Sequence, residues 1–432
     1  MKQTRLFLGM FLVSASALSW ACSSDDSASG TTTTTDAGMS DIDAGVTGAD
    51  ASTALACGNA TGAPPRALAI LGSYSARTSG KNELAAINLT TNAVDGRYPY
   101  EGEFATIAAT GTEPYLLDET KDTVTRFDAL EPWKPVASWD VHGTDADGGD
   151  PTANPIGLVA ASCTKAYVLR YNRNAIAVID QSQAADGGAP VKYIDLSSFV
   201  QTTDSDGTVE PTAAVYVAAK RRVYVLLGNF DHPLAARGAC PTETLTPSLV
   251  AIDVDTDQIV SLGGTAPGGG IALPGYSPVS GSPLIYDAAD DRVLALNLGC
   301  SSGVATLRRG VDAVSLTTNT ATTLLDLNNA DYPTTFAFLD SNHAAVAFYG
   351  SGRLWDPTQT SLGTSIPQGI DTVATDGRGG FVATHQTKLS DKGPELDVVT
   401  FPGDGGAERL VTTNPFTVTG DYVSGLASWP HP

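Results

Sequence analysis

Apolar residues along this chain come in short runs of five to eight, broken by turn residues, without the three-to-four spacing of a helix. The stretch from Asn154 to Leu196 shows the pattern most clearly: PIGLVAA, KAYVLRY, AIAVID and VKYIDL, separated by SCT, NRN and AADGGAP. Each run is β-branched or aromatic and is bounded by Gly, Pro, Asn or Asp, which predicts four antiparallel strands in a meander.

Comparable units fill most of the chain. FATIAAT, PYLLDET, TVTRFDA and KPVASWDV precede the stretch above; TAAVYVAA, RRVYVLLG, SLVAIDV and DQIVSLG follow it. SPLIYDAA, RVLALNLG, VDAVSLTT and ATTLLDL make a further unit, then TTFAFLD, HAAVAFYG, GRLWDPT and a poor fourth strand near SLGTSIP, then GIDTVATD, GGFVATHQ, LDVVTFP and ERLVTT. The first unit has only RALAILGSY, NELAAINL and a weak GRYPYEG, and one strand, DYVSGLASW, is left over at the C-terminus. Four-stranded units repeated in this way predict an all-β fold, a β-propeller, with seven blades as the expected count and six or eight as the alternatives that the irregular sixth unit leaves open. The C-terminal strand is expected to supply the missing inner strand of the first blade and so close the ring.

At this point the chain resembles a known group. Pro155-Ile156-Gly157-Leu158, the run from Lys165 to Arg170, the run from Ile176 to Asp180 and the DSDGTVEP segment at 204–211 look like the repeats of YVTN-type seven-bladed propellers. Such propellers occur in secreted bacterial proteins, among them predicted lipoproteins of myxobacteria and relatives. The resemblance covers roughly residues 64 to 430 and speaks to fold more than to function.

Residues 1–21 read as a secretory signal peptide: Lys2 and Arg5, the apolar LFLGMFLVSASAL, and small residues at Ser19 and Ala21. Cys22 follows the expected cut, and SWAC resembles a lipobox in which Ser19 replaces the usual Leu and Trp20 is bulky. Residues 22–56 then form the expected lipidated cysteine and a Ser/Thr/Asp/Gly tether with almost nothing to bury. A tether of about thirty residues reaches ~30 Å. The expected address is the outer membrane of a cell envelope, periplasmic or surface-facing, with a secreted protein as the outcome if Cys22 is not lipidated. Residues 57–432 are the propeller, expected to be a monomer touching membrane through the lipid alone.

Charge narrows the partners. The chain carries 25 Lys and Arg against 47 Asp and Glu, a formal net charge of −22, which excludes the basic surface that nucleic acid requires. Four cysteines remain beyond Cys22. Propeller geometry places Cys240 and Cys300 in corresponding loops on one face of neighbouring blades, and Cys57 and Cys163 on the opposite face. Cys240–Cys300 and Cys57–Cys163 are the expected disulfides.

The residues leading into the innermost strands of a propeller gather at one mouth of its channel. Here they include Glu103, Asn154, Glu210, Asp331, Asp371 and Asp421, with Tyr276 and Ser277 breaking the series. Converging carboxylates would offer the oxygen ligands that calcium prefers and would raise one another's pKa; turn initiation by Asp and Asn is the plainer role. Asp204-Ser205-Asp206-Gly207, with Glu210 following, has the core of a calcium loop without its closing bidentate Glu, and Asp145, Asp147 and Asp150 form a weaker one. The five His are scattered, and no G-x-S-x-G elbow is present. The expected role is therefore non-catalytic binding of an envelope protein, a glycan or a small ligand, with Ca2+ as a possible cofactor. The loops Asn229 to Thr246 and Leu262 to Tyr276 are expected to project from the mouth. The alternative is a metal-dependent hydrolase of the lactonase kind, for which no residue set here matches position by position.

Overall fold

The computed structural model describes residues 17–19, 63–73, 82–102, 104–110, 113–143, 152–183, 188–230, 245–299, 308–327, 332–348, 350–366, 372–376, 379–385, 395–400, 409–413 and 421–429. The strands among them form seven antiparallel sheets. In the first, Asp421–Trp429 pairs with Arg66–Ser73, which is followed by Asn82–Asn88 and Ala93–Tyr100. The second runs Ala105–Thr110, Glu113–Asp118, Thr123–Phe127 and Pro135–Asp140; the third runs Pro155–Ser162, Lys165–Arg170, Ala175–Asp180 and Lys192–Asp195. The fourth has Pro211–Val217, Arg222–Leu227, Ser248–Asp253 and Gln258–Val260, and the fifth Ile285–Asp287, Arg292–Asn297, Gly310–Ser315 and Thr320–Asp326. The sixth has Pro333–Asp340, His343–Phe348, Ser351–Trp355 and the short Ser365–Ile366; the seventh has Thr372–Thr375, Gly380–His385, Glu395–Thr400 and Arg409–Thr413. Ala17–Ser19 adds a short parallel strand beside Ala105–Thr110.

The core explains why the strands read as continuous apolar runs. It is divided into layers, each shared by two successive sheets. Tyr167, Leu169, Ile176 and Val178 of the third sheet pack with Val223, Val225, Val250 and Ile252 of the fourth. Leu296 and Val311 of the fifth pack with Phe336, Val346 and Phe348 of the sixth. The last layer joins Ala374 and Val382 of the seventh sheet to Ala67, Ala85, Ile87 and Leu426 of the first, so the layers return to their start. A strand sandwiched on both faces has no solvent side to alternate with. The outermost strands do have one, and their patterns are mixed: Pro135–Asp140, Lys192–Asp195 and Thr320–Asp326 each alternate buried with exposed positions. The architecture is an all-β propeller.

The leftover C-terminal strand lies where the repeat count required it. It pairs antiparallel with Arg66–Ser73, from Arg66 opposite Trp429 to Ser73 opposite Asp421. The first and last described strands of the domain thus share one sheet, which gives the ring no open edge there.

One expectation is corrected. The segment Leu262 to Tyr276 folds back onto its own sheet instead of projecting. Ile271–Ala272 pairs with Ser248 and Leu249, Leu262, Ile271, Leu273 and Tyr276 are buried, and the Gly275 N–H donates to Asp312 Oδ2 at 2.6 Å. Four apolar side chains spaced along it explain the folding back. Most of the other segment, Asn229 to Thr246, lies outside the described residues. No helix among the described residues is long and apolar enough to cross a membrane.

Candidate ligand-binding face at the channel mouth

A repeated backbone bond fixes which residues are equivalent at the mouth. In four successive sheets the N–H just after the second strand donates to the C=O of the residue entering the first. The pairs are Glu119 to Phe104 at 3.1 Å, Tyr171 to Asn154 at 3.0 Å, Gly228 to Glu210 at 2.8 Å and Leu298 to Ser277 at 2.8 Å. Asn154, Glu210 and Ser277 each precede a proline and each have a left-handed φ, of 53°, 41° and 52°. Tyr332 stands in the same place before Pro333. In the second sheet the register position is Phe104, and Glu103 lies outside the described residues, as do Asp331 and Asp371. Asp421 pairs through its backbone with Ser73; its side chain is outside the described set.

Glu210 departs most from ordinary behaviour. It is a non-glycine residue in the left-handed region, a strain found chiefly at functional positions, and its side chain is fully buried. Its Oε2 accepts the Phe230 N–H at 2.7 Å, and its Oε1 contacts the Thr208 hydroxyl. That same hydroxyl lies 2.6 Å from Asp206 Oδ1, which also accepts the Thr208 N–H at 3.0 Å. One hydroxyl has one proton to give. If it goes to Asp206, the contact with Glu210 is a hydrogen bond only when Glu210 carries a proton of its own. The electrostatics agree: burial pushes Glu210 well above the usual carboxylate range, and Asp206 and Asp204 add to the effect against the bonds from Thr208 and Phe230.

Oxygens of Asp204, Asp206 and Glu210 lie within 4.8 Å of one another. The structure therefore brings the predicted calcium loop and one predicted mouth residue into a single cluster. These three could supply half of the six to eight oxygens of a calcium ion, once Glu210 released its proton. Tyr171 is buried beside them; burial and then the Glu210 charge hold its hydroxyl far up. Phe230 and Tyr276 complete the wall, with ring centroids 6.3 Å apart. The Asp145, Asp147 and Asp150 loop lies outside the described residues.

Four groups were not singled out from sequence. Glu119 is buried, donates its N–H to the Phe104 carbonyl at 3.1 Å, accepts the Thr106 hydroxyl at 2.9 Å, and is pushed up to about 7 by burial. Asp122 is buried and spans two sheets: Oδ1 accepts the N–H groups of Ala153 and Asn154 at 2.9 Å each, and Oδ2 meets His142 Nδ1 at 2.6 Å. Asn174 does the same one sheet later, accepting the Val209 N–H at 2.9 Å. Asp122 and Asn174 each stand directly before a third strand, a signal the repeat alignment contained. Asp312 is the fourth, pushed up to about 6 by burial while it holds Gly275, Asn297 and Thr323.

Of the cysteines only Cys163 lies among the described residues. It sits in the turn between the first two strands of its sheet and is disulfide-bonded. Cys22, Cys57, Cys240 and Cys300 lie outside the described set.

No family model matches this chain, and no curated protein matches it. Solved structures do. A chain of Kuenenia stuttgartiensis hydrazine synthase aligns with a TM-score of 0.50 at 14% identity, over 75% of this chain and 93% of that one. A putative 6-phosphogluconolactonase from Bacteroides fragilis aligns with a TM-score of 0.51 at 11% identity, over 84% of this chain and 98% of that one. The Cps50 (Swd1) β-propeller domain of Myceliophteria thermophila gives 0.46 at 12% identity, over 75% and 97%. At such identities the likeness is one of fold alone.

Proposed function

We propose that this chain is a non-catalytic binding propeller of the cell envelope, of the seven-bladed YVTN type, tethered through a lipidated Cys22. Its ligand, an envelope protein, a glycan or a small molecule, sits at the channel mouth. The observation that carries this reading is the clustering there of Glu210, Asp204 and Asp206 against Tyr171. A strained backbone and a buried acid are each costly to the fold, and both fall on Glu210 at the rim of the channel. The tether and the address rest on the sequence of residues 1–56. Cys163 as a half-cystine suits the oxidising compartment that this address implies, with Cys57–Cys163 and Cys240–Cys300 as the proposed pairs.

The address is tested by labelling cells with a palmitate analogue. Label on the wild type and none on Cys22→Ser supports the anchor, and label on neither overturns it. The face is tested by calorimetric titration of the full-length protein with calcium, beside an Asp204→Asn/Asp206→Asn variant. Heat that disappears in the variant places the ion in the cluster. The three oxygen donors keep one second reading in view, a metal-dependent hydrolase of the lactonase kind. No calcium heat, together with no hydrolysis of lactones in the presence of divalent metals, removes that reading and leaves an uncharged or protein ligand.

A further inference from the structure

We propose that the propeller stands on the membrane with the face opposite the channel mouth turned to the lipid, so that the mouth is held out to partners in the aqueous compartment. This deepens the proposed function and rests on its lipid anchor and on the mouth as the binding face.

Strand directions decide which face is which. Each innermost strand starts at the mouth, so the second returns to it, the third leaves and the fourth returns. Turns joining first to second strands, and third to fourth, therefore lie on the opposite face. The chain enters the domain there. Arg66 stands opposite Trp429, the last residue of the inner strand of its sheet. The Pro65 carbonyl accepts the Leu89 N–H at 2.9 Å, from the turn between the third and fourth strands of that sheet. The segment before Ala63 is thus attached away from the mouth. Cys163 lies on the same face, in a first-to-second turn, and is disulfide-bonded. With Cys57 as its proposed partner, the end of the tether is held covalently to that face.

The length of the tether makes the attachment point matter. A lipid at Cys22 is joined to that face by a segment whose typical reach is ~30 Å. To bring the mouth to the bilayer, the same segment would have to travel the height of a sheet and the radius of the ring. Strands of six to eight residues are on the order of 20–25 Å tall, and a domain of this size has a radius of roughly 20 Å. A random chain adopts so long a stretch rarely, whereas the opposite orientation leaves it slack.

The charges are distributed to the same effect. Fourth strands of the first three sheets bring Glu101, Asp140 and Asp195 to the mouth side, all exposed. Among the described residues none of the three pairs with a Lys or Arg. Asp140 and Asp195 each accept the N–H two residues on, a turn role that Asn fills without charge. The exposed Lys and Arg described there, Lys121 and Arg308, each lie beside a buried carboxyl, Asp118 and Asp312. On the opposite face the exposed acids are matched: Glu131 by Lys134, Asp255 by Arg221 and Asp290 by Arg292. Lys165 and Lys192 share Asp257 there. An anionic bilayer surface repels the unmatched acids of the mouth and tolerates the matched face.

The test places the lipidated protein in vesicles of phosphatidylethanolamine and phosphatidylglycerol that carry a headgroup quencher. A dye is attached through Glu101→Cys or Lys121→Cys at the mouth, and through Ser182→Cys or Asn342→Cys in exposed turns of the opposite face. Two sites on each face keep the comparison intact where one variant fails to fold, which thermal melts show. Quenching is expected to be about twofold or more stronger on the opposite face, given a separation on the order of 20–25 Å. Equal quenching on the two faces, or stronger quenching at the mouth, overturns the orientation and leaves the anchor standing. Wild-type protein that stays off the vesicles, as Cys22→Ser should, overturns the anchor and the orientation together.

Discussion

The Tyr167 hydroxyl donates to Asp257 Oδ1 at 2.6 Å, from the second strand of one sheet to the fourth-strand turn of the next. The same carboxylate oxygen takes the Lys165 ammonium at 3.0 Å. Tyr115, at the same place one sheet earlier, reaches across to Gln181. The second-strand tyrosine is thus a rivet between neighbouring sheets at these two places. Tyr167→Phe should lower stability by about 1–3 kcal/mol, because it removes a bond to a charged, largely buried acceptor, as read by urea denaturation. Burial works to raise the Asp257 carboxyl, and the bonds from Tyr167 and Lys165 outweigh it, so its pKa lies below the usual value. Its stabilisation is present above the ordinary carboxylate range and is lost as pH falls through that lowered pKa.

Glu119 predicts the opposite slope. Burial raises it from 4.5 to about 7, so the folded chain holds a proton that the unfolded chain has released. Stability from this group is greatest below its unfolded pKa and declines as pH rises through the interval up to about 7. Glu119→Gln keeps a neutral hydrogen-bonding group in its place. The variant should flatten that decline and gain up to about 3 kcal/mol at pH 8 while changing little at pH 4, measured by denaturation at the two pH values.

Gly310 sits at φ 135°, beside the register shift between Val311 and Asp312. A Cβ there would lie 1.8 Å from the Leu325 carbonyl oxygen. That neighbour is backbone and cannot rotate away. Gly310→Ala should therefore cost more than about 2 kcal/mol and lower Tm by several degrees, with strain and clash acting together. A melting point equal to wild type would show that the bulge can relax.

Removal of residues 421–432 strips the inner strand from the first sheet. The backbone of Arg66–Ser73 would lose its partners on one side, and Leu426 and Ala427 would leave their two core layers. The truncated protein is expected to lose its cooperative melt and to associate through the bared edge. A soluble monomer with a normal melt by light scattering and calorimetry would contradict this.

Most of the fold was legible because the repeat is written in apolar runs that tolerate no helical alternative. The closing role of DYVSGLASW followed from counting strands. The mouth was legible where a proline marks the entry, as at Asn154-Pro155 and Glu210-Pro211. It was not legible in the second sheet, where Phe104 enters without a proline and draws no attention as a polar candidate would. The depth of Glu210 and Glu119 was hidden too, since burial depends on what neighbouring sheets place above them. The Leu262 to Tyr276 segment read as a free loop because its Gly and Pro content outweighed four well-spaced apolar residues.

The pairing of Arg66–Ser73 with Asp421–Trp429 also orders events in time. During synthesis the earliest strands of the domain emerge with their inner partner more than three hundred residues away. They must wait, held from aggregation, until the strand at 421–429 has left the ribosome. The ring closes only when that strand arrives, so a chain stalled or ended before it leaves no smaller ring as a stable by-product. It leaves only an open arc for proteases to find.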